Sequence, residues 1–88
     1  MKLIKIDSIE KKDHPLDYKR YYNAKAVFES VMDSVEEIPI QIMIEHTPLG
    51  PTKVDIELKT HPKAGPILMA TKQIKEKVMQ MDKEGVFD

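Results

Sequence analysis

Isoleucines at every second position mark the most regular segment of the chain. Ile38, Ile40, Ile42 and Ile44 alternate with less apolar residues over 38–45, and β-branched residues on one face are typical of a half-buried strand. Residues 53–59 repeat the alternation with Val54, Ile56 and Leu58 inward. The Pro- and Gly-containing segment 47–51 between them predicts a turn, so the two runs form a β-hairpin.

The first strand is predicted over residues 3–9, with Ile4 and Ile6 on one face and Lys5 and Asp7 on the other. A loop over 11–15 follows, because a residue that precedes proline avoids the helical region. Pro39 lacks an amide hydrogen, so its end of the 38–45 strand is expected at a sheet edge, a bulge or the start of the strand.

The C-terminal segment has helical periodicity. Ile67, Ala70, Ile74, Val78 and Met81 recur at helical spacing, with Lys72, Glu76 and Lys83 opposite them. Pro66 suits a first-turn position and Gly85 suits the residue after the cap. The pattern predicts an amphipathic helix over about 66–83.

Residues 18–37 fit two interpretations. As a strand, Tyr22, Ala24, Ala26 and Phe28 form an apolar face, with a turn near residues 33–34. As a helix, Tyr21, Ala24, Phe28, Val31 and Val35 form a stripe, but Tyr21-Tyr22-Asn23 is a poor helix interior. The strand is favoured. The predicted fold class is therefore α+β, a small two-layer antiparallel sheet (ββββα) closed by one C-terminal amphipathic helix, with βαββα as the alternative.

Composition narrows the class of protein further. At 88 residues the chain predicts a single domain over 1–88. It contains no cysteine, which excludes disulfides and thiolate chemistry. It contains no signal-peptide core and no run of about 18 apolar residues, so a cytoplasmic protein without a membrane span is expected. Residues 26–52 contain five acidic residues and no lysine or arginine, which argues against a chain wrapped in nucleic acid.

Catalytic and metal-binding signals are weak. His14, His46 and His61 lie in predicted loops or at strand ends, without any regular ligand spacing. The carboxylate pairs Glu36-Glu37 and Asp55 with Glu57 are expected on solvated surface, where a pKa is not readily shifted. No serine lies in a nucleophile-elbow sequence, and the three glycines are too scattered to hold a phosphate. We expect no enzyme activity and no cofactor, with a histidine-based metal site or enzyme as the third-ranked hypothesis.

A cluster of cations and aromatic residues supports the second-ranked hypothesis, single-stranded nucleic-acid binding. Tyr18, Lys19, Arg20, Tyr21 and Tyr22 combine rings that could stack on bases with positive charges. The alternative is that Tyr21 or Tyr22 packs at the edge of the core while the cations stay in water.

Spare apolar residues support the first-ranked hypothesis, an interaction with another protein or with a second copy. On the predicted helix, Leu68, Met69 and Met79 lie off the core stripe, and methionine is an adaptable contact residue. An open sheet edge beside them offers a template for strand pairing. The sequence thus predicts a non-catalytic module that binds another protein or forms a homodimer, with Leu68, Met69 and Met79 as its contact residues.

Overall fold

Four antiparallel strands and one helix make up the fold. The computed structural model describes residues 1–13, 19–30, 34–50, 52–63 and 65–87. The strands are β1 (Lys2–Lys12), β2 (Lys19–Glu29), β3 (Val35–Glu45) and β4 (Lys53–Leu58), followed by helix α1 (Ile67–Lys83). The strands are hydrogen-bonded in the order β1-β2-β3-β4, so each pairs with its neighbour in sequence.

The ambiguous segment contains a strand, and the ββββα prediction is confirmed. β2 pairs along its whole length with β3, from Lys19 opposite Glu45 to Glu29 opposite Val35. Its predicted apolar face, formed by Tyr22, Ala24, Ala26 and Phe28, is buried. The βαββα alternative is wrong because a second ladder, to β1, also uses the backbone of β2, and a helix would have kept those groups for itself.

The core lies between the inner sheet face and one stripe of the helix. The isoleucines of β3 are at most 1% exposed, and each contributes about 1.5–3 kcal/mol by leaving water. The helical side chains that cover them are Ala70, Ile74, Val78 and Met81, all buried. Within the described ranges, no helix has the length and apolar character that crossing a bilayer requires.

Pro39 corrects one expectation, because it lies inside a central strand. The Lys59 N–H donates to the Pro39 carbonyl at 2.9 Å. In an antiparallel ladder a residue directs its N–H and C=O to the same neighbour, so the hydrogen missing from Pro39 is missing on the side of β4. β4 ends one residue earlier, at Leu58, and the proline therefore costs the sheet a bond only where that ladder stops.

Ile4 corrects a second expectation. Leu3 lies opposite Phe28 and Lys5 lies opposite Val27, so Ile4 is an extra residue in the ladder. Such a β-bulge reverses the alternation, and Leu3 rather than Ile4 joins the core. A second irregularity follows between Asp7 and Glu10, where Ser8 has φ 54°. β1 then continues to Lys12, into the segment predicted as a loop.

Both helix ends agree with the sequence to within one residue. Pro66 is the N-cap and is extended, with φ −68° and ψ 142°, so the helix begins at Ile67 and not at Pro66. At the other end Gly85 has φ 82°. The Gly85 N–H donates to the Asp82 carbonyl at 3.2 Å and the Val86 N–H to the Met81 carbonyl at 3.0 Å, which is the Schellman arrangement.

The bulge gives a test with two residues of the same type. We expect Ile6→Ala to cost about 2–4 kcal/mol of unfolding free energy, because Ile6 is 8% exposed and packs in the core. Ile4→Ala should cost less than about 1 kcal/mol, because Ile4 is 47% exposed. Urea denaturation measures both, and equal losses would contradict the bulge.

Candidate interaction surface at the β4 edge

The two edges of the sheet differ in how far they are closed. The outer edge of β1 is interrupted by both bulges, and bulges are a common protection against edge-to-edge pairing. In addition, the Gln73 side chain binds this edge: its Oε1 accepts from the Leu3 N–H at 2.9 Å and its Nε2 donates to the Met1 carbonyl at 3.3 Å. Helix α1 therefore occupies the hydrogen-bonding positions that a further strand beside β1 would need.

The outer edge of β4 has no such closure among the described residues. Its ladder to β3 is regular from Lys53 to Leu58. Because Lys59 donates to Pro39, the odd-numbered residues of β4 direct their backbone groups to β3. Val54, Ile56 and Leu58 consequently direct theirs outward, where an added strand could bind them.

One flank of helix α1 lies over this edge. Gln73 ties the opposite flank to β1, and Met79 lines a shallow, mainly apolar pocket of about 230 Å³ with Thr52, Val54, Asp82 and Lys83. Leu68 lies on the same side of the helix as Met79, since eleven residues make almost three complete turns. The two side chains are 81% and 41% exposed.

These residues define one surface, which we call the β4–α1 surface: Val54, Ile56, Leu58, Leu68 and Met79. Ile56 and Leu58 were predicted only as core residues, but both are half-buried and pack against the edge of the core. Sequence alternation identifies the face of a side chain but not whether its strand is at an edge. That information comes only from the strand order.

Met69 lies apart from this surface. It is one residue beyond Leu68, about 100° further round the helix, and is 51% exposed on the side away from the sheet. The three predicted contact residues therefore do not form a single patch. Lys72 and Lys75 lie on the turns between Leu68 and Met79 and are exposed, so the helical part of the surface is apolar at its two ends and basic in its middle.

The predicted nucleic-acid residues are divided between the two faces of the sheet. Tyr22 is 4% exposed, and its Oη donates to the Phe87 carbonyl at 2.7 Å. Arg20 Nη1 donates to the same carbonyl at 3.2 Å. Lys19 and Tyr21 alternate with them and lie on the face away from the helix, where Tyr21 is opposite Met43. Tyr18 is outside the described residues, so two of the five predicted residues share the open face.

The histidines that the structure describes lie far apart. His46 follows β3 at one end of the β3–β4 hairpin, and His61 follows β4 at the other. The Nε2 of His46 is buried without a hydrogen-bond partner among the described residues. His14 is outside those residues. Within the same ranges, no group of three or more histidine, aspartate or glutamate side chains is arranged to hold a metal ion.

A second concavity lies at the His61 end of the sheet. It encloses about 650 Å³ and is lined by Ser30, Ser34, Val35, Glu36, Glu37, Thr60, His61 and Lys63. Both carboxylate oxygens of Glu36 accept from the Lys63 N–H, at 2.9 and 3.0 Å. That carboxylate therefore holds the loop after β4 in place, which gives it a structural role.

The fold and this surface define a small α+β protein with one closed and one open sheet edge. Residues 1–83 match the model of the BB_0187 family, and the chain belongs to that family. No curated protein and no solved structure matches the chain. Membership of this family assigns no activity, ligand or partner, so the function is inferred from the surface itself.

The contact between Phe87 and Tyr22 gives a second test of stability. Phe87 is 4% exposed and its ring centroid lies 4.9 Å from that of Tyr22. We expect Phe87→Ala to cost about 3–5 kcal/mol, because it removes a buried aromatic side chain. Val86→Ala is the control, since Val86 is 51% exposed, and should change stability by less than about 0.5 kcal/mol. Similar thermal midpoints for the two variants would contradict this role of Phe87.

Proposed function

We propose that this chain is a non-catalytic protein-interaction module that binds through the β4–α1 surface. The carrying observation is the apolar pocket that joins Met79 of the helix to Thr52 and Val54 of β4. It places exposed apolar side chains directly beside a sheet edge with outward backbone groups. Strand addition uses both features, because the backbone supplies affinity and the adjacent side chains supply specificity.

The asymmetry of the sheet supports this choice of edge. Pairing at β1 would have to displace the two hydrogen bonds of Gln73 and follow a ladder with two bulges. Pairing at β4 displaces no hydrogen bond that the structure describes. It would also cover Ile56 and Leu58, which one helix leaves half-buried. Removing apolar surface from water contributes about 25 cal/mol per Å².

Methionine and leucine suit such a contact. Met79 is unbranched and can adapt to the shape of a partner. Leu68 is 81% exposed, so the folded chain alone gains little from it. Single exposed apolar residues are common, and the argument therefore depends on their position: both lie on the flank of α1 that lies over the open edge.

Site-specific photo-crosslinking in the cells that make the protein tests the surface. A benzophenone amino acid at position 79 should give a discrete adduct, because a partner lies against that side chain. The same probe at position 25, an exposed site on central strand β2, should give none. Adding Leu68→Lys, which leaves the core stripe intact, should abolish the adduct from position 79. Adducts from both positions, or from neither, would contradict the proposal.

A further inference from the structure

The charges on the open face of β4 restrict which strand can pair with it. Lys53, Asp55, Glu57 and Lys59 alternate with the apolar residues and point away from the helix. Directly opposite residues of an antiparallel pair share a face, where opposite charges stabilise and like charges destabilise. A second copy related by a two-fold axis can therefore pair about an axis through Asp55, Ile56 or Glu57, and the three registers differ in their charge pairs.

An axis through Ile56 places Lys53 opposite Lys59 and Asp55 opposite Glu57, so every pair on the open face is repulsive. An axis through Glu57 places Glu57 opposite itself and relies on Lys59, which lies beyond the end of β4 and already contacts Glu57 at 3.5 Å. An axis through Asp55 places Lys53 opposite Glu57 of the second copy, twice, within the strand. Its one repulsive pair is Asp55 with itself.

We propose that the partner at the β4–α1 surface is a second copy of this chain, paired antiparallel through β4 about a two-fold axis at Asp55. This inference rests on the proposed function and names its partner. In this register Val54 lies opposite Ile56 of the second copy, and both direct their backbone groups to the new ladder. The result is a continuous eight-stranded sheet with both helices on one face.

The spacing of the helix contacts agrees with this axis. Leu68 and Met79 are separated by about 16 Å along the helix, and Thr52 and Leu58 by about 20 Å along the strand. Met79 lies beside Thr52 and Val54, so the midpoint between Leu68 and Met79 falls near the level of Asp55. The two-fold axis therefore brings Leu68 of one copy to the level of Met79 of the other.

The lysines of the helix limit the strength of the dimer. Lys72 and Lys75 lie on either side of that midpoint, so the same axis places each at the level of the other in the second copy. Their stems can cover apolar surface while the ammonium groups stay in water, but the charges repel. The charge pairs of the strands consequently decide the register.

Charge reversal with rescue tests the register. Lys53→Glu and Glu57→Lys each turn two attractive pairs into two repulsive ones, and each should raise the dimer dissociation constant at least about tenfold. The double variant Lys53→Glu/Glu57→Lys recreates the pairs with their signs exchanged and should restore dimerisation. Lys25→Glu makes the same charge change on β2 and should leave the dissociation constant unchanged. Sedimentation equilibrium over a dilution series measures all four variants.

Other results overturn the proposal in distinguishable ways. Tighter association of Lys53→Glu would favour the axis through Ile56, and no rescue by the double variant would exclude the Asp55 axis. A wild-type chain that stays monomeric at every concentration would exclude the second copy. If the position-79 adduct still formed and was lost with Leu68→Lys, the interaction surface would stand with a different partner. If that adduct were absent too, the proposed function would fail as well.

Discussion

The structure depends on a single helix covering the inner face of a sheet whose strands are longer than the helix. Helix α1 has 17 residues and is about 25 Å long, whereas the 11-residue strands extend for about 36 Å. The helical stripe from Ala70 to Met81 covers the isoleucines of β3. Beyond the C-terminal end of the helix the cover is extended by Phe87, which packs on Tyr22. The Schellman turn at Gly85 makes this possible because it reverses the chain directly after the last helical turn.

This covering arrangement also sets the difference between the two sheet edges. Gln73 ties one flank of the helix to the start of β1, and the other flank consequently lies over β4. There the helix covers Val54 almost completely, at 3% exposed, but leaves Ile56 and Leu58 half-buried. The surface that we assign to partner binding is thus the place where one helix is insufficient cover. A second copy would supply the missing strand and the missing apolar contact together.

The sequence predicts the fold better than the surface, for physical reasons. Alternation and helical periodicity arise from local geometry, so the β3–β4 hairpin, the helix and the cap at Gly85 are all visible in the residues. Ile4 is misassigned because a bulge depends on pairing with β2, which the local pattern does not report. Pro39 is misassigned because its missing donor is harmless only where β4 ends. Leu68 and Met79 were identified as exposed, but their position over an open edge needs the strand order and the hydrogen bonds of Gln73.

The central claim is that the outward backbone groups of β4 bind a partner strand. Amide hydrogen exchange, resolved by residue and measured in dilute and concentrated samples, tests it most directly. In the dilute sample we predict alternation: the Asp55 and Glu57 amides, bonded to β3, exchange slowly, and the Ile56 and Leu58 amides exchange fast. In the concentrated sample the Ile56 and Leu58 amides should become protected, while those of β1 do not change. Fast exchange of Ile56 and Leu58 at every concentration would contradict self-pairing at this edge.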